Sequence, residues 1–355
     1  MKVKVPGKLL VAGEYAVLEK NQVAVVTAVS RYVTVTVTPS DQFYLQLPSL
    51  GIRDVTWTYK NNQIHTSIDD PKLKFIKAAI FAVYNYLDET AQLPKEPFTL
   101  LVESELDEET SGKKFGLGSS AAVVVGIVKA LFQMAGDFSK ETVFKAAAVA
   151  HFMAQGSGSG ADVAASTFGG IIRYTSFHPQ WMAEQLKSGV KLKALIDHRW
   201  PYFSWSRLEL PSDASFCVGW TRSPVGTAPL IRKMDDFKEK NPSVFQSFLQ
   251  ETAEAVSTFI DGVQEKNTDL TIKGIKLNRA ALVRLGKEAN IPIETQALKQ
   301  LADIAEAYGG AGKPSGAGGG DCGIALVKGR EQIDLLQAAW RNADILPLPL
   351  LDQKK

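Results

Sequence analysis

Valine alternates with threonine over residues 32–38, the period of a half-exposed strand, and residues 23–29 are almost wholly apolar. Val3 and Val5 flank a lysine in the same way. The chain is therefore expected to open in β-structure, with further strands at 43–47, 55–59 and 99–102. Among these, residues 73–87 space their apolar positions as a helix does. The helical period then takes over. It predicts a helix over 120–135 stopped by Gly136, another over 139–155 stopped by Gly156, and a shorter one over 163–168. Strands on one side and helices on the other make an α+β layer.

A second such unit follows, with strands at 216–220 and 322–327 and helices at 244–263, 279–290, 295–308 and 332–342. Between the two units, the stretch 186–207 turns basic and aromatic, with Lys187, Lys191, Lys193, Arg199 and Arg207 beside Trp200, Tyr202, Phe203 and Trp205. The domain junction is expected there, giving domains 1–205 and 206–355. A chain of 355 residues suits two domains of roughly 150 residues each.

Charge narrows the partners. Forty lysines and arginines against 38 acidic residues leave a formal net charge of +2, which argues against a nucleic-acid partner. The opening Met-Lys-Val-Lys-Val-Pro-Gly-Lys lacks the apolar core of a signal peptide, and no uncharged apolar run approaches a bilayer span. A cytoplasmic protein without a membrane partner is expected. Cys217 and Cys322 lie too far apart for a paired metal motif and read as small core residues. His65, His151, His178 and His198 show no ligand spacing, so no histidine-bound metal is expected.

The chemistry is concentrated in three glycine-rich segments. Residues 116–122 read Gly-Leu-Gly-Ser-Ser-Ala-Ala and run into an apolar helix. The first N–H groups of a helix have no intrahelical partner and carry partial positive charge, so such an end holds phosphate. Gly116 and Gly118 let the main chain approach closely, while Ser119 or Ser120 could cap the helix, donate to an oxygen or hold a hydroxyl toward Mg²⁺. A dinucleotide fingerprint would need a buried strand before it, whereas 105–114 is heavily charged. The second segment, 156–162, delivers Asp162 from a glycine turn to a helix start. The third, 313–323, packs six small residues just before a strand, which suits close approach to a ligand or to the cradle. Neither a Walker A sequence nor the paired motifs of protein kinases occur, which excludes those ATP-binding classes at the motif level.

Together with Pro6-Gly-Lys-Leu-Leu-Val-Ala-Gly-Glu-Tyr-Ala-Val17, the cradle and the glycine loop resemble the GHMP small-molecule kinases in both content and order. Within that superfamily the resemblance is nearest to bacterial phosphomevalonate kinases, through 114–120, 158–162, Gly219-Trp-Thr-Arg222 and 315–326. It implies a ribosomal-S5-like N-terminal domain and a ferredoxin-like C-terminal domain with ATP and acceptor meeting between them. It further implies that ATP, with Mg²⁺, phosphorylates mevalonate 5-phosphate. Lys8 and Asp162 would be catalytic. Gly116, Leu117, Gly118, Ser119, Ser120 and Ala121 would bind nucleotide, with Ser120 also on the metal. Lys114, Ser159, Gly160, Thr227, Ser315, Gly316 and Ala317 would contact substrate. One departure is visible: Gly112 stands where the superfamily commonly has proline, followed by Lys113 and Lys114. Those two cations, and the basic stretch around Arg199 if it faces the cleft, favour an acceptor that is already phosphorylated. A mevalonate kinase and a non-catalytic GHMP-fold sensor are the rival readings.

Overall fold

The computed structural model describes residues 1–107, 115–223 and 227–349. The first sheet comprises β1 (Lys2–Ala12), β2 (Val23–Pro39), β3 (Tyr44–Leu47), β4 (Ile52–Lys60), β5 (Gln63–Thr66), β6 (Phe98–Ser104), β7 (Ile171–Thr175) and β8 (Ser204–Leu208). Its order is β5-β4-β3-β6-β2-β7-β8, with β1 paired to β2. The expected boundary at 205/206 falls inside β8, which pairs antiparallel with β7. Pro6 and Gly7 do not end β1. The register shifts there, from Pro6 opposite Tyr32 to Gly7 opposite Val29, so Ser30 and Arg31 form an extra segment on β2 that absorbs the break.

Helices α1 (Lys74–Asp88), α2 (Ser119–Ala135), α3 (Lys140–Gln155) and α4 (Ala161–Phe168) form the adjoining layer, with α2 and α4 directly on β1 and β2. Their apolar faces, among them Val124, Ile127, Leu131 and Phe168, join Val5, Val26, Val33 and Val35 in one buried core. The basic stretch forms α5 (Pro179–Lys187) and α6 (Leu192–Asp197).

The second sheet contains β9 (Ala214–Trp220), β10 (Ala311–Pro314), β11 (Cys322–Lys328) and β12 (Leu346–Leu348), in the antiparallel order β10-β11-β9-β12. With it go α7 (Thr227–Lys240), α8 (Pro242–Gln264), α9 (Thr268–Ala289), α10 (Gln296–Ala307) and α11 (Arg330–Asn342). The expected start of α9 at 279 is eleven residues too late. Asn267 caps the helix by accepting from Leu270 N at 3.1 Å. Gly274 lowers local helix propensity but lets α8 approach: a Cβ there would stand 2.6 Å from Phe259 N. Cys217 and Cys322 are free and buried, as expected. No described helix is long and apolar enough to cross a membrane.

Candidate active site

Lys8 sits on β1, and its own amide donates to Leu117 O at 2.8 Å, tying the strand to the cradle. The lysine stem then crosses Gly118, where a Cβ would stand 2.9 Å from Lys8 Cε. Gly118 also has φ +76°, a left-handed conformation that side chains other than glycine's resist. It is the N-cap of α2 and supplies no side-chain hydrogen bond. The helix therefore begins at Ser119, one residue before the expected start, and neither serine caps it. Its first intrahelical bond runs from Ala122 N to Gly118 O, which leaves the Ser119, Ser120 and Ala121 amides without intrahelical partners. Ala121, expected on the nucleotide, is fully buried and does not line the cleft.

Asp162 comes from a similar turn. Gly160, at φ +72°, caps α4, and its neighbour Ser159 is pinned by two buried hydroxyls: Tyr174 Oη and Ser176 Oγ donate to Ser159 O at 2.6 and 2.9 Å. Burial pushes the Tyr174 phenol well above its usual range, so it remains a donor. Gly160 itself faces Phe177 rather than the cleft. Asp162 Oδ1 accepts from Val163 N at 2.9 Å, and Oδ2 lies 3.9 Å from His151 Nε2. The same His151 nitrogen is 3.1 Å from Ser120 Oγ, and its ring stacks on Phe75. Among the described residues no ion pair joins Lys8 to Asp162, whose carboxylate lies beside His151 instead.

The glycine loop closes the third side. Ser315 Oγ donates to Leu10 O at 2.9 Å and accepts from Leu10 N at 3.0 Å, while Tyr15 Oη donates to Ala317 O at 2.6 Å. Lys313 Nζ donates to Glu14 Oε1 and to Pro314 O. Burial pushes the Glu14 carboxyl up and the Lys313 ammonium down, and their mutual attraction opposes both shifts. Asp321 packs over Gly116, where a Cβ would stand 2.7 Å from its Oδ2.

These parts line one cleft of about 600 Å³, which brings together Lys8, the turn 116–120, Ser159, Asp162 and Ser315, Gly316 and Ala317. That volume suits a nucleotide-sized ligand. Lys114 lies outside the described residues. Thr227 opens α7, and one turn further on Ile231 lines the cleft. The basic stretch does not line it: Lys191 pairs with Glu89, Lys193 with Asp197, and Arg207 donates to Phe168 O. Sequence reading missed the place of His151, the one polar residue in the apolar stretch 146–154 of α3, and the Glu14 and Lys313 pair. The only local signal for that pair was that each of the two motifs carries a second charge, Glu14 beside Lys8 in one and Lys313 beside Asp321 in the other.

Among the described residues, no three His, Cys, Asp or Glu side chains cluster as a metal-ligand set. Mg²⁺ does not need such a cage, because it keeps waters and takes one or two protein oxygens alongside phosphates. The Ser120 hydroxyl and the Asp162 carboxylate, both hard oxygen donors on the cleft wall, fit that requirement.

Comparison with known proteins agrees with this geometry. Residues 75–170 match the GHMP kinases N-terminal domain, and residues 259–345 the GHMP kinases C-terminal domain. The chain is 36% identical to the phosphomevalonate kinase of Streptomyces sp. (strain CL190), covering 97% of this chain and 95% of that one. The Lin0012 protein of Listeria innocua superposes with a TM-score of 0.93 at 38% identity, over 99% of this chain and 97% of that one. The Streptococcus pneumoniae phosphomevalonate kinase, solved with phosphomevalonate and AMPPNP, superposes with a TM-score of 0.87 at 27% identity, over 99% of each chain. Fold and site define a small-molecule kinase. The chain belongs to the GHMP kinases, and its two-domain architecture is theirs.

Proposed function

We propose that this kinase transfers the γ-phosphoryl group of ATP to the phosphate of mevalonate 5-phosphate, giving mevalonate 5-diphosphate and ADP in isoprenoid biosynthesis. The observation that carries the reading is the 36% identity to a phosphomevalonate kinase over nearly the full length of both chains. The open amides of Ser119 and Ser120 and the Ser119 hydroxyl hold the nucleotide phosphates, and Lys8, lying across Gly118, stabilises charge on the transferring group. Mg²⁺, held by Ser120 with Asp162 in the same wall, would neutralise phosphate charge when bound. Lys114, Ser159 and Thr227 are assigned to the acceptor side.

Asp162 need not act as a base. A phosphate monoester has a second pKa of about 6, so its oxygens are already largely anionic at neutral pH. The carboxylate then serves to orient the reactants, with His151 beside it, where a hydroxyl acceptor would need a proton removed.

Measuring ADP release with mevalonate 5-phosphate, mevalonate, galactose and homoserine tests the assignment. Turnover with mevalonate 5-phosphate is expected. Turnover with mevalonate and none with its phosphate would make this a mevalonate kinase. ADP binding without turnover of any acceptor would make it a sensor.

A further inference from the structure

The connection between α9 and α10 forms the outer wall of the glycine loop. Ile293 O accepts from Gly319 N at 3.0 Å, and a Cβ at Gly318 would stand 2.2 Å from the same oxygen. The next residue, Glu294, is held by Arg279 of α9, whose Nε and Nη2 donate to its two carboxylate oxygens at 2.7 and 3.2 Å. The same guanidinium also reaches Asp303 Oδ1 at 2.6 Å and Glu306 Oε1 at 2.8 Å, both on α10.

The three arms are not equivalent. The Arg279 and Glu294 side chains are 11% and 8% exposed, whereas those of Asp303 and Glu306 are 45% and 39% exposed. Solvent-exposed pairs contribute little, while a bidentate pair shielded from water fixes geometry. Only the shielded arm ends beside Ile293. From Ile293 the contacts continue through Gly319 to Asp321, which covers Gly116 of the cradle.

We infer that Arg279 is a positioning residue for nucleotide binding: through Glu294 it fixes the Ile293 wall that holds the glycine loop against the cradle. The inference rests on the nucleotide-binding reading above. Arg279 touches neither the cleft nor any residue assigned to substrate, so its effect passes through the backbone of 293 and 319.

The arms supply their own controls. Arg279→Gln and Glu294→Gln should weaken ADP binding by about threefold to thirtyfold, the usual range for a residue acting through a packed network. They should also speed amide exchange in peptides spanning 315–321. Asp303→Asn and Glu306→Gln touch the same guanidinium without touching the wall, so both readouts should stay at parent values even if melting temperature falls. Equal effects from all four variants, or unchanged loop exchange in Arg279→Gln and Glu294→Gln, would overturn the inference. Failure of the parent to bind ADP would refute the functional reading instead, and the exchange measurement would still decide the role of Arg279.

Discussion

Glu14 and Lys313 stand 299 residues apart in the chain and form an ion pair with neither side chain measurably exposed to water, linking the end of β1 to β10 of the second sheet. Removing one partner of such a pair strands a buried charge and typically costs about 3–5 kcal/mol, whereas replacing both can be close to neutral. Lys313→Met should therefore destabilise the fold by that amount, and Glu14→Gln added to it should recover much of the loss. Urea denaturation of the single and double variants checks this, and a double variant no better than the single would show that the pair is not coupled.

Ser120→Ala separates capping from metal binding. Because Gly118 caps α2 without any side-chain bond, the loss of about 1 kcal/mol that a capping serine would cause is not expected. The melting temperature should fall only by what the lost Ser120–His151 hydrogen bond contributes, about 1 kcal/mol, while the Mg²⁺ concentration needed for half-maximal activity rises. A lowered melting temperature with unchanged Mg²⁺ dependence would reverse the assignment.

Gly316 and Gly318 provide a matched comparison within the glycine loop. Both have positive φ, but a Cβ on Gly316 meets nothing within 4 Å, whereas one on Gly318 runs into the backbone of Ile293. Gly316→Ala should cost only the conformational penalty of about 1–2 kcal/mol. Gly318→Ala should cost about 1–3 kcal/mol more, because the main chain must shift. Equal denaturation midpoints for the two variants would show that the wall at Ile293 yields freely.

The Arg279 cluster also gives a pH signature. Burial alone would raise the Asp303 carboxyl, but hydrogen bonds from Lys299 and Arg279 outweigh it and hold the group below its usual 3.8. A carboxyl lowered in the folded state contributes stability that is present above the unfolded value and lost as pH falls through the folded one. The gap in melting temperature between parent and Arg279→Gln should therefore be widest near neutrality and narrow below about pH 3.8. A gap that is constant down to pH 2.5 would contradict this.

What the sequence disclosed was local. The turn at 116–118, the carboxylate at a helix start and the loop 313–323 are signals of backbone conformation carried by a few adjacent residues, and the structure brings all three to one cleft. The local pattern supports a strand only over Val3–Val5, and pairing with β2 carries β1 past Pro6 and Gly7 because Ser30 and Arg31 absorb the break there. The early turns of α9 were hidden by Gly274, whose value lies in its contact with Phe259 on another helix. His151, Lys313 and Arg279 were missed for one reason: each acquires its role from a partner at least eleven positions away. The basic stretch misled in the opposite sense, since charge density alone does not say which surface a helix presents.

The Lys8 amide of strand β1 reports on the cradle, as that of Leu10 reports on the glycine loop. Along this strand the N–H groups answer mainly to β2, but that of Lys8 is bonded to Leu117 O. In isotope exchange, an amide opens with the free energy of the smallest fluctuation that frees it. The Lys8 amide should thus exchange when the turn at 116–118 lifts, while that of its neighbour Leu9 stays protected. The residue assigned to the transferring phosphoryl group carries, on its own nitrogen, a reporter of whether the cradle beneath it is seated.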